Sequence, residues 1–119
     1  MTENKEQKWA MPPVFQRFYL LTGWLLDRVE KFPKSARFTF GQRLSDTALD
    51  IVEKLVRAAY GRRRKDNLEA ANTDLEVLRV MIRLSHDRRY LSDDQYTYAI
   101  GELLEVGKMI GGWLRSEGT

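Results

Sequence analysis

The chain has 119 residues, 43% of them hydrophobic, with 20 Lys and Arg against 17 Asp and Glu, a single His and no Cys. That length fits one domain with a modest core, and the missing cysteines and lone histidine argue against a disulfide framework, a metal site or any cofactor. No apolar run approaches the roughly 20 residues of a membrane span, and Met1 to Lys8 is charged and polar, so the expectation is a cytoplasmic protein with no membrane contact.

Residues 1–12 read as a flexible segment and 13–116 as the folded unit. Pro12 and Pro13 suit a helix's first turn, where a missing amide donor costs little, and a helix is predicted over 13–32. Its stripe is Phe18, Leu21, Leu25, Val29 and Phe32, broadened by Phe15, Tyr19 and Leu26. After the turn at Pro33, a second helix over about 37–60 carries Leu44, Ala48, Ile51, Leu55 and Ala59. Thr39 with Gln42 has the form of a capping box, and Gly61 offers a left-handed stop.

Asp66 with Glu69 repeats the box ahead of a third helix over 66–89, whose stripe is Leu68, Ala71, Leu75, Leu78 and Ile82. Ser92 with Gln95 opens a fourth over 92–116, with Asp93 and Asp94 on the positive end of its dipole and a stripe of Tyr96, Ala99, Leu103, Val106, Ile110 and Trp113. No segment alternates with period two. Four helices joined by short loops predict an all-α, up-down antiparallel four-helix bundle. Gly107, Gly111 and Gly112 are costly inside a helix, which points to close helix approach within the bundle or between subunits. Trp9, Trp24 and Tyr60 lie off the stripes, a sign of self-association.

Consecutive helical positions diverge by about 100°, so Ser85, His86 and Asp87 cannot form a hydrolytic triad, and His86 reads as a surface residue. The Asp93–Asp94 pair reads as helix capping. The basic residues carry more. Arg62, Arg63, Arg64 and Lys65 form one run, with Arg57 upstream, and Arg79 and Arg83 share a face of the third helix with His86. These seven are the candidate phosphate contacts; the competing reading is a solvated face with dipole-complementing cations. Arg37 and Arg43 are expected to pair with acids such as Asp46. An enzyme that binds dianions through internal arginines, in the manner of helical chorismate mutases, would need arginines that interrupt an apolar stripe. Arg79 and Arg83 only flank one, and we expect no enzymatic activity.

The run Phe32-Pro33-Lys34-Ser35-Ala36-Arg37-Phe38-Thr39-Phe40-Gly41-Gln42-Arg43 resembles the accessory variability determinant (Avd) proteins of diversity-generating retroelements. Leu75, Leu78-Arg79 and Ile82-Arg83-Leu84, with the ending Gly107-Lys108-Met109-Ile110-Gly111-Gly112-Trp113-Leu114, are also similar to that family. The likeness covers about residues 13–116. Four-helix proteins encoded in ribosomal RNA intervening sequences are related, but their turn after the first helix reads differently. The resemblance implies a homopentameric barrel that binds a reverse transcriptase and its template RNA or cDNA in support of mutagenic retrohoming. It gives Phe32, Pro33, Lys34, Ser35, Arg37, Phe38, Thr39, Gly107, Gly111, Gly112 and Trp113 as structural motif positions, and it includes Arg79 and Arg83. Reading the same chain as a pure protein-interaction scaffold remains open.

Overall fold

A proline at the first helical position is pre-set for helical φ, and α1, Pro13–Glu30, begins there with Pro12 as its N-cap. The structure, a computed structural model, describes residues 11–118, so Trp9 and most of the expected N-terminal segment lie outside the described residues. α1 ends two residues before the expected Phe32, because the residue preceding Pro33 is disfavoured in helical conformation.

A short helix follows, α2, Lys34–Arg37, and then α3, Phe40–Tyr60, α4, Arg64–Asp87, and α5, Asp93–Gly118. The described residues are therefore all-α with five helices, where the sequence pattern predicted four. The extra helix falls where one helix was expected to start at 37. Pro33 suits the position just ahead of a helix, and the Pro33 carbonyl accepts the amides of Ala36 and Arg37.

Helix contacts run in a ring, each long helix touching two others. Arg17 pairs with Glu102 and the Trp24 ring lies 4.9 Å from that of Tyr98, so α1 and α5 run antiparallel. Lys54 reaches Asp74 at 2.6 Å and Arg64 reaches Ala58, which sets α3 against α4 in the same sense. His86 meets Asp93 while Leu75 lies beside Gly107, and α4 and α5 are likewise antiparallel. Inside the ring, Phe18, Leu21, Leu25, Phe32, Leu44, Ile51, Leu55, Leu68, Leu78, Ile82, Val106 and Ile110 are fully buried. Every one except Phe32 lies on a helix, at the three-and-four spacing that lines one face.

The helix ends differ from expectation. Ser92 with Gln95 forms the reciprocal box: Gln95 N–H donates to Ser92 Oγ at 3.1 Å and Ser92 N–H to Gln95 Oε1 at 2.9 Å. The other two boxes do not form. Thr39 Oγ1 instead donates back to the Ser35 and Ala36 carbonyls, because α2 has already placed those acceptors within reach. Gln42 turns to Asp46, and Asp66 falls inside α4, which starts at Arg64.

Gly61 is extended, at φ −93° and ψ 179°, rather than left-handed. The left-handed residue is Arg89 (φ 65°), after α4. Tyr90 N–H bonds the Ser85 carbonyl and Arg89 N–H that of His86, the pairing of a Schellman stop, with an arginine where glycine is usual.

Close approach is also placed elsewhere. A Cβ on Gly107 would sit 3.6 Å from Leu75, and one on Gly111 or Gly112 would meet only the end of Arg115, all ordinary contacts. Within the chain these three glycines do not bring helices together. Gly41 does: its Cβ would lie 2.8 Å from Val29 Cγ1 and 3.2 Å from the Ala36 oxygen.

Candidate nucleic-acid interface

The seven candidate cations split into two groups along α4. Arg57, Arg62, Arg63, Arg64 and Lys65 gather at the α3–α4 turn, whereas Arg79 and Arg83 lie about 20 Å further along, at 1.5 Å rise per residue.

The first group is not uniform. Arg64 is built into the fold: Nε donates to the Ala58 carbonyl at 2.7 Å, Nη2 to that of Ala59 at 3.3 Å, and Nη1 to Glu117 at 3.2 Å, with the guanidinium 5.8 Å above the Trp113 ring. Its start-of-helix position sets it against the last carbonyls of α3, which lack intrahelical partners. Arg57 pairs with Glu53 one turn back, at 2.8 Å. Arg62, Arg63 and Lys65 are exposed and make no ion pair among the described residues. They are the charges that an anion can reach without displacing a carboxylate.

On α4, Arg79 holds Glu76 at 2.7 Å and Arg83 approaches Asp87 at 3.7 Å. The hydrogen bond and charge of Glu76 raise the Arg79 pKa above its already high value, so this arginine stays cationic but is matched locally. A shallow groove between α4 and α5 runs past it, lined by Leu75, Glu76, Arg79, Leu103, Leu104 and Gly107.

The motif residues divide as well. Phe32 is buried, with its ring 5.0 Å from that of Tyr90. Pro33 precedes α2, Lys34 and Ser35 are exposed on it, and Arg37 Nη2 donates to the Phe32 carbonyl. Neither Arg37 nor Arg43 pairs with Asp46, which instead accepts Gln42. Trp113 is half-buried beside Arg64. Phe38 is 70% exposed.

His86 was legible only as a surface residue. Its Nε2 lies 2.6 Å from Asp93 Oδ1 and its Nδ1 3.4 Å from Asp87 Oδ1, with the ring stacked 4.5 Å from Tyr96. Donation of the Nε2 hydrogen bond to Asp93, opposed by partial desolvation and helped by Asp87, raises its pKa above 6.5. The available signal was the position of His86 and Asp93 on either side of a short turn.

Among the described residues no group of three or more His, Cys, Asp or Glu is placed to hold a metal, and no helix is long and apolar enough to cross a membrane. No curated protein and no solved structure matches the chain. A family model described as bAvd-like matches residues 14–117, nearly the whole described fold, and the chain belongs to that family.

Proposed function

We propose that this protein is a non-enzymatic, cytoplasmic accessory subunit of a diversity-generating retroelement, which binds the element's reverse transcriptase and its template RNA or cDNA. Membership of the bAvd-like family across residues 14–117 carries this reading. In it, the four long helices act as an up-down four-helix bundle, and five copies close into a barrel. Exposed Leu20, Val77, Val80, Leu84 and Leu104 support self-association, since apolar side chains of that size are what subunit contacts cover. A ring of copies would repeat Arg62, Arg63 and Lys65, so that weak phosphate attraction becomes multivalent.

The test is retardation of RNA and DNA by the purified protein, with its mass in solution measured by light scattering. Binding should show little sequence preference and fall steeply with salt. Reversing Arg62, Arg63 and Lys65 to Glu should abolish duplex retardation while capture of the reverse transcriptase persists. No retardation even at low salt would sink nucleic-acid contact by this subunit. A scaffold without nucleic-acid contact is the second reading, favoured by the local pairing of Arg79 with Glu76 and Arg83 with Asp87. Partner capture with no RNA binding by the unaltered protein would select it.

A further inference from the structure

The opposite end of the molecule, at the α1–α3 and α4–α5 turns, holds a second basic surface built around an exposed aromatic ring. Tyr90 fastens the two turns together, with its ring 5.0 Å from Phe32 and 6.3 Å from Phe40. That places Arg88 and Arg89, just before Tyr90, at the same end as Lys31, Lys34 and Phe38. Arg43 lies three turns before Lys54 on α3, and Arg88 about four turns after Asp74 along α4. Since Lys54 and Asp74 meet at the α3–α4 seam, both arginines fall on that seam's edge.

Lys31, Lys34, Arg43, Arg88 and Arg89 are exposed and make no ion pair among the described residues. The nearby acids are partly engaged: Asp87 and Asp93 meet His86, while Asp46 accepts the neutral Gln42 amide and keeps its charge about one turn from Arg43. Asp27, Glu30 and Asp94 are the exposed carboxylates left at this end; Asp27 lies one turn before Lys31, and Asp94 sits in the first turn of α5, away from the α3–α4 seam. Arg89 holds a left-handed conformation that glycine would adopt more cheaply.

Phe38 is the other unexplained feature. It is 70% exposed, carries no polar atom on its side chain, and lies under the Arg37 guanidinium at 5.9 Å from the ring centroid. Tyr60 is as exposed beside Arg62 and Arg63, but its hydroxyl gives it reason to face water. An open aromatic face among unpaired cations is the arrangement that holds a single strand, one base stacking on the ring while its phosphates meet the charges. A duplex, whose bases are already stacked, offers the ring nothing.

We propose that Phe38, with Lys34, Arg43, Arg88 and Arg89, forms a contact for single-stranded nucleic acid in which a base stacks on Phe38. This rests on the nucleic-acid reading above, and assigns it a second, strand-selective surface. The experiment is fluorescence anisotropy of the full-length protein with a labelled oligouridine, an abasic strand of equal length, and an RNA duplex.

Phe38→Ala should weaken oligouridine binding about tenfold, the loss of one stacked base, and leave duplex and abasic strands unchanged. Phe38→Trp should restore it, with emission quenched on binding. Equal oligouridine affinity of the Ala variant and the parent would overturn the proposal, and so would an abasic strand that binds as well as oligouridine. If that happens while the Arg62/Arg63/Lys65 reversal still abolishes binding, the broader reading stands without it. Binding of no strand by the parent defeats both. Should the Ala variant fail to fold, Phe38→Trp decides alone, absence of quenching on bound oligouridine being the overturning result. A polyglutamate competitor that displaces the strand as well as free RNA does would identify an acidic-protein surface instead.

Discussion

The Arg64 guanidinium closes the end of α3 from the neighbouring helix: its Nε donates to the Ala58 carbonyl oxygen at 2.7 Å, with Ala59 and Glu117 taking the other donors. One side chain thus ties the last turn of α3, the first of α4 and the last of α5. Arg64→Met keeps the stem and leaves those carbonyls unpaired, which should cost about 1–3 kcal/mol in urea denaturation. Arg64→Lys should recover only part, because an ammonium lacks the planar fork. Oligonucleotide binding should be intact in both. A loss of binding without a loss of stability would show that Arg64 contacts the ligand after all.

Gly41 and Gly101 should respond to alanine with opposite signs. A Cβ at Gly41 would lie 2.8 Å from Val29 Cγ1 and 3.2 Å from a backbone oxygen, and neither a β-branched side chain nor a carbonyl gives way easily. Gly41→Ala should destabilise by about 1–3 kcal/mol. At Gly101, inside α5, a Cβ meets nothing within 4 Å, and Ala should stabilise by about 0.5–1 kcal/mol through the unfolded state. Paired thermal melts check both. Equal shifts at the two sites would mean that Gly41 is not a packing constraint.

The core was legible because burial imposes period 3.6: Phe18, Leu21, Leu25, Val29 and Phe32, Leu44, Ala48, Ile51 and Leu55, and Leu68, Ala71, Leu75, Leu78 and Ile82 are buried as read, whereas Tyr19 is 50% exposed and at the end of α3 Ala58 is buried in place of Ala59. Helix ends were less so. Thr39 with Gln42 and Ser92 with Gln95 look alike in sequence, yet only the second is a box, because α2 offers Thr39 carbonyls that no local pattern announces. The basic run Arg62 to Lys65 read as one feature, but folding splits it: the carbonyls that claim Arg64 become its neighbours only when α3 and α4 turn back on each other. The Lys34–Arg88–Arg89 surface escaped for the same reason, since a ring contact between Phe32 and Tyr90, distant in sequence, assembles it.

Thr22 is 4% exposed and its hydroxyl has no partner among the described residues. A buried hydroxyl without a hydrogen bond costs desolvation with no return. Thr22→Val replaces it with a methyl of the same shape, and should stabilise by about 1 kcal/mol, raising Tm by several degrees for a domain of this size. An unchanged or lower Tm would place a bound water, or a shared proton, at that hydroxyl.

His86 joins the last turn of α4 to the first of α5 through Asp93, and its protonation state sets the strength of that link. Its pKa is raised by the Asp93 hydrogen bond above the unperturbed 6.5, so the folded protein binds the proton more tightly than the unfolded chain. The extra stability is therefore fully present below about pH 6.5 and is lost as pH rises through the higher folded-state value. Because Asp93 is almost wholly exposed, salt should shrink the effect. As the chain has one histidine, a single imidazole signal reports it by NMR. In the parent it should titrate above 6.5, and Asp93→Asn should bring it back toward that value. Unfolding free energy across the same window should fall with pH in the parent and stay flat in His86→Gln. A parent titration below 6.5 would mean that desolvation outweighs the carboxylates, and the slope would then reverse, stability rising with pH.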